Sequence, residues 1–177
     1  PTVEKTIKST TRNTGKTSIG GEAYKEFESP KTLLENGEKF YNNGNLKEAM
    51  DCFQKTIKMD ENNFKALQYQ GMIYELQEAP LEAIKSYKRA LHVKKDDPLT
   101  LYYLSVSLYN ADKYKESKEI SEKLTKVRPD WDDSWYILAI SLQAMGDIKG
   151  AIKAYSKALN INPLNEEAST GLKELLG

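Results

Sequence analysis

A spacing of 34 residues constrains this chain more than any other feature. Aligned on Pro30, the segments 30–63, 64–97, 98–131 and 132–165 follow one another without a gap and repeat one pattern of large and small side chains. A recurrence of this length means one supersecondary unit stacked on itself, because a unit so short cannot bury its apolar face alone. The fourth place of the segments holds Leu33, Leu67, Leu101 and Trp135. The eighth holds Gly37, Gly71, Ser105 and Ala139, and the eleventh Phe40, Tyr74, Leu108 and Leu142. These places share one stripe of a helix. A second stripe joins the twentieth place (Ala49, Ala83, Ser117, Ala151), the twenty-fourth (Phe53, Tyr87, Ser121, Tyr155) and the twenty-seventh (Thr56, Ala90, Leu124, Ala158). Small residues at the eighth and twentieth places let two helix backbones approach, and the large residues fill the space beside them. Each segment is therefore expected to be a helix hairpin.

Punctuation agrees with this register. Ser29-Pro30 and Asp97-Pro98 set a capping side chain before a proline at the first helical position. Asn45, with Glu48 three residues on, reads as a capping box, and Asp147 as a second N-cap. Pro80 suits the first turn of a helix, while Pro129 and Pro163 stop one. The pattern predicts helices over 31–43, 46–59, 64–77, 80–93, 98–110, 114–126, 132–145 and 148–160. After the fourth segment, Ala168, Leu172, Leu175 and Leu176 form an apolar face, with Glu167, Thr170, Lys173 and Glu174 elsewhere. A stacked array exposes its last apolar face, so 166–177 is expected to be a polar-backed capping helix. The expected fold is all-α: four helix-turn-helix units and a cap. Ser105, Ser117 and Ser121 stand where the other segments mostly carry Gly or Ala, Ala and an aromatic ring, so the third unit is expected to pack less tightly.

These residues resemble the tetratricopeptide repeat family over 30–165 and the cap, on Leu or Trp at the fourth place, Gly or Ala at the eighth, Ala at the twentieth, Phe or Tyr at the twenty-fourth and Pro129 and Pro163 at the thirty-second. Asn36 and Gln70 depart from the family's leucine at the seventh place. The resemblance implies a right-handed superhelical solenoid with a concave groove in which peptides bind. The groove stripe runs along the second, fifth, ninth and twelfth places of each first helix, beside the packing stripe. In the first segment it offers Leu34, Glu38 and Tyr41 after Lys31, and in the second Gln68, Met72 and Glu75 after Lys65. The third offers Tyr102, Val106 and Tyr109 after Leu99, and the fourth Tyr136, Ile140 and Gln143 after Asp133, with Tyr69 and Tyr103 flanking. The groove is thus read as aromatic and aliphatic in its middle and C-terminal parts, with acids (Glu38, Glu75) at its N-terminal end to favour a basic flank. Tyrosine offers a large rigid face with a polar tip and is enriched at interfaces. Packing of the tyrosines against each other across neighbouring repeats is the competing reading. The family's carboxylate clamp, which holds acidic chaperone tails, is not expected: its places carry Leu34, Glu38, Tyr69, Leu99 and Tyr103.

Composition narrows the function. Lys plus Arg and Asp plus Glu each number 26, so no basic excess marks a nucleic-acid binder. Charged residues make up 29% and mean hydropathy is −0.66, and the longest apolar run, Trp135 to Ile140, is too short to span a bilayer. No secretory signal is readable, so a cytoplasmic location and no membrane insertion are expected. One cysteine, Cys52, and one histidine, His92, build neither a disulfide nor a metal site, and no metal or cofactor is expected. Gly15-Lys16-Thr17 lacks the earlier glycine of a phosphate loop, because Thr10 stands there. Asp96-Asp97 and Asp132-Asp133 sit at helix starts and read as caps, so no catalytic residue and no enzyme is expected. Residues 1–21 read as a flexible tail, made mildly basic by Lys5, Lys8, Arg12 and Lys16; Tyr24 and Phe27 either form a short cap at 22–29 or dock elsewhere. The chain opens on Pro1, which leaves a processed form or a fragment open. The expected function is an adaptor or scaffold that binds an apolar or aromatic segment of another protein in its groove. The alternative is a self-associating assembly protein, a homo-oligomer whose tails or faces pack against neighbouring copies.

Overall fold

The structure, a computed structural model, describes residues 29–177. The expected tail, the bulk of the 22–29 cap and Gly15-Lys16-Thr17 lie outside the described residues. The elements are α1 (Pro30–Asn42), α2 (Leu46–Met59), α3 (Phe64–Leu76), α4 (Pro80–Val93), α5 (Pro98–Asn110), α6 (Tyr114–Val127), α7 (Asp132–Ala144), α8 (Ile148–Ile161) and α9 (Glu166–Leu176). All are helices, and the chain is an all-α repeat solenoid. Each odd helix pairs with the even helix that follows, and each hairpin docks on the next. The odd helices α3, α5, α7 and α9 also touch in succession, which the even ones do not do to that extent. They form the inner layer, and their free faces line the groove.

The start signals work as their chemistry requires. The side chains of Ser29, Asn63, Asp97, Asp147 and Asn165 each accept a hydrogen bond from the backbone N–H three residues on. Asn45 does not: its side chain accepts no cap bond, so the capping box is absent. The turn between paired helices has a backbone pattern of its own. Gly44, Glu78, Asp112 and Gly146 all take a positive φ of 56–80°. The next residue donates its N–H back into the first helix, Asn45 to the Phe40 carbonyl and Asp147 to that of Leu142, each at 2.9 Å. The backbone closes this turn itself.

Contact between glycine and ring sets the hairpin spacing. A Cβ placed on Gly37 would lie 2.6 Å from Phe53 Cε1, and one on Gly71 2.4 Å from Tyr87 Cε1. Both rings are fully buried. The third unit solves the same problem with hydroxyls, and it is not loose: Ser105, Ser117 and Ser121 are each 0% exposed. Ser117 Oγ donates to the Ser105 carbonyl and pairs with Ser141 Oγ, both at 2.8 Å, and Ser121 Oγ donates to the Ser117 carbonyl at 2.7 Å. Buried Leu101, Leu124 and Ile137 supply the apolar volume. Trp135 differs from the leucines at its place. It is only half-buried, and its Nε1 donates to the Pro129 carbonyl at 3.0 Å. In α9, Ala168 is buried, but Leu176 is 66% exposed and does not join the apolar face. Gly171 takes part instead: a Cβ there would meet Tyr155 Cζ at 2.4 Å.

Candidate functional site

The inner helices place all fourteen expected groove residues on the inner layer, each half-buried. That intermediate state reflects two jobs. Tyr69 stacks on Phe53 (centroids 4.9 Å apart, planes 6° from parallel) and meets Tyr41 edge-on at 5.2 Å. Tyr103 stacks on Tyr87 at 5.8 Å. Tyr102 touches Tyr103 at 5.7 Å and Trp131 at 5.2 Å, and Tyr136 lies 6.2 Å from Tyr155. Tyr41, Tyr69 and Tyr103 therefore pack across repeat junctions, whereas the ring contacts of Tyr102 and Tyr136 lie within their own units, and part of each ring stays open to the groove. Burial pushes the hydroxyls of Tyr41, Tyr69, Tyr103 and Tyr136 up from their ordinary pKa, and that of Tyr102 up to about 12. At neutral pH they are uncharged donors.

The acids are distributed differently from the sequence reading. Glu38 is paired with Lys65 at 3.1 Å. Glu75 accepts a hydrogen bond from Ser107 Oγ, and burial holds its carboxyl above the usual range although that bond opposes the shift. Gln68 Nε2 donates to Thr100 Oγ1 at 2.8 Å and is likewise engaged within the array. Three further acids, none with an ion pair among the described residues, stand at the other end. There a cleft of about 610 Å³ opens between α5, α7 and α9. Tyr109, Tyr136, Ile140 and Gln143 line it from the expected stripe. Tyr155 joins them, its hydroxyl donating to Gln143 Oε1 at 2.6 Å. Glu166, Glu167 and Glu174 form the α9 wall. The sequence reading missed this wall because it assigned α9 only a capping role. The spacing of Glu167, Thr170 and Glu174, three and four residues apart, already put them on one face.

Asp132 fixes that wall in place. Its Oδ2 accepts from Asn162 Nδ2 at 2.8 Å and from Asn165 Nδ2 at 2.9 Å, tying the start of α7 to the N-cap of α9. Burial works against its charge, but the two amides and backbone N–H groups outweigh it and hold the carboxyl below its ordinary value. Among the described residues no three His, Cys, Asp or Glu side chains are grouped to hold a metal ion, and no helix is long and apolar enough to cross a membrane. Cys52 is buried and His92 lies exposed in the last turn of α4.

Family models of the tetratricopeptide repeat match residues 132–165, the whole fourth segment, and residues 40–63, the greater part of the first. The chain belongs to the tetratricopeptide repeat family. This tetratricopeptide repeat protein is 28% identical over 134 residues to the BBSome complex member bbs-4 of Caenorhabditis elegans, a match over 71% of this chain and 29% of that one. It thus spans less than a third of that relative's length. Among solved structures it is similar to the MamA protein (TM-score 0.80, 23% identity, 84% of this chain and 81% of that one). It is also similar to YrrB (TM-score 0.78, 20% identity, 84% and 76%). At those identities the likeness is one of fold.

Proposed function

We propose that this tetratricopeptide repeat protein is a non-catalytic adaptor or scaffold, and that its groove holds an apolar or aromatic segment of another protein without a carboxylate clamp. The observation that carries the reading is the continuous row of half-buried rings and aliphatic groups along α3, α5 and α7, from Tyr69 and Met72 through Tyr102 and Val106 to Tyr136 and Ile140. Packing within the array covers only part of each, and what remains is a contact surface of rigid aromatic groups with polar tips. The positions of the clamp carry leucine, tyrosine and an ion-paired glutamate, none of which supplies the lysine or asparagine group with which a clamp holds a terminal carboxylate. YrrB, described as a tetratricopeptide protein with an unusual peptide-binding site, offers a precedent on a similar fold.

The test is selection of random peptides displayed on phage against the immobilised full chain, followed by fluorescence anisotropy with a selected peptide. Val106→Asn and Ile140→Asn place amides in the groove while leaving the ring contacts intact. Each should weaken binding about tenfold, as expected when an apolar contact is exchanged for an unpaired amide. Melting temperatures of the variants report any loss of fold. Unchanged affinity in both variants would remove the groove as the site.

A further inference from the structure

The formal neutrality of the chain conceals a separation of charge between its two layers. The outer helix α8 carries Lys149, Lys153 and Lys157 and no acid. The inner helix α5 carries no charge. Inner helices α7 and α9 together carry Asp132, Asp133, Glu166, Glu167 and Glu174 against Lys173 alone. The C-terminal cleft lies on this acidic side, and no Lys or Arg lines it. Glu166, Glu167 and Glu174 have no ion pair among the described residues, and Glu174 stands in the last turn of its helix, where the helix dipole disfavours a negative charge. The field reaches the floor. Burial first, and then Glu167, pushes the Tyr136 hydroxyl up. Burial and neighbouring tyrosines, with Glu174 adding to them, push that of Tyr155 up to about 12.

We infer that this cleft is a subsite for a lysine or arginine of the partner segment. The inference rests on the groove reading above and adds the chemistry of one residue to it. The aliphatic stem of such a residue lies against Tyr136 and Ile140, and its charged head is drawn to Glu167 and Glu174. Long basic side chains combine an apolar stem with a cationic tip, and the cleft offers an aromatic floor and an acidic wall in matching order. A segment entering here carries an apolar or aromatic residue toward α5 and a basic residue toward α9.

Three phage libraries of random peptides of about twelve residues serve as probes: one with all residues allowed, one without Lys and Arg, and one without aromatic and aliphatic residues. Each is selected on the full chain and on Glu167→Gln/Glu174→Gln, with Glu166 kept for the N-terminus of α9. The first library should be retained about tenfold better than the second, the sum of two partly exposed charge contacts. The glutamine variant should erase that preference, as should high salt. Equal retention of the first two libraries with loss of the third overturns the basic subsite and leaves the groove reading standing. Equal retention of all three, or of none, overturns both. Sedimentation at rising concentration supplies the last arm. Self-association that disappears in the glutamine variant would make the lysine-rich outer layer of a second copy the occupant, and would overturn the peptide subsite.

Discussion

Gly71→Ala tests the contact that sets the distance between paired helices. The new methyl would lie 2.4 Å from Tyr87 Cε1 and 2.7 Å from its Cδ1 and Cζ. Carbon atoms settle at about 3.5 Å or more, so the ring must retreat by about 1 Å. It has nowhere to go. Tyr87 is 0% exposed, stacked on Tyr103 and clustered with Ala83, Ile84, Leu104 and Leu108. Overpacking of this kind costs about 1–3 kcal/mol. Alanine returns up to about 1 kcal/mol through its better helix propensity. A ring held on both faces belongs near the top of the overpacking range, so the net loss is expected at about 1–2 kcal/mol. With a urea slope of about 1–3 kcal/mol per molar, the unfolding midpoint followed by circular dichroism should fall by about 0.5–1 M. In a Tyr87→Leu background the collision is gone, and the same glycine change should be neutral or favourable, a coupling of more than about 1 kcal/mol. A midpoint that holds or rises when Gly71→Ala is made in the native background would show that ring contact does not fix the hairpin.

Four further outcomes follow from single contacts. Tyr87 Oη is buried with no hydrogen-bond partner among the described residues, whereas Tyr155 Oη donates to Gln143. Tyr87→Phe should therefore be neutral or stabilising, and Tyr155→Phe should cost about 0.5–1.5 kcal/mol in the same urea assay. Glu78 occupies the positive-φ place of its turn, which Gly44 and Gly146 fill in other repeats, so Glu78→Gly should raise the melting temperature through relief of about 1 kcal/mol. Asp132 is more acidic in the folded chain than an ordinary aspartate, so its stabilising contribution is complete above about pH 4 and is lost as pH falls through its folded value. Asp133 is shifted the other way, by burial and then by Asp132, so Asp133→Asn should relieve a penalty at neutral pH while Asp132→Asn loosens α9, measurable as faster amide exchange there.

The repeat period was legible because it is local: small and large residues recur at fixed places, and several helix starts carry their own caps. The third unit was misjudged because a serine reads as a polar intrusion until its hydroxyl partners are known. Ser117 finds its partners in Ser105, twelve residues back, and Ser141, in the next repeat, and a one-dimensional pattern cannot pair them. The partners of the acids were hidden for the same reason. Glu38 and Glu75 stand on the stripe that spacing predicts, but Lys65 and Ser107 from following repeats engage them. Glu167 and Glu174 were legible as a helical face, but that the face adjoins Tyr136 depends on how the cap docks on α7 and α8.

Stability and recognition draw on the same rings in this array. Tyr69 and Tyr103 each stack on the buried ring of the preceding repeat and still border the groove. In a linear array the energy that joins neighbouring units is a nearest-neighbour quantity. A segment laid across the junction between α5, α7 and α9 touches residues of more than one unit and strengthens that coupling where it binds. The stabilisation follows mass action, about 2.7 kcal/mol at a hundredfold excess over Kd. It should be concentrated in the repeats that are spanned, because contacts reach only from each unit to the next. A cognate segment in the C-terminal cleft should therefore slow amide exchange in α7, α8 and α9 far more than in α1 and α2. Uniform protection along the whole chain would mean that the array unfolds as one unit and that occupancy of the cleft is not read out locally.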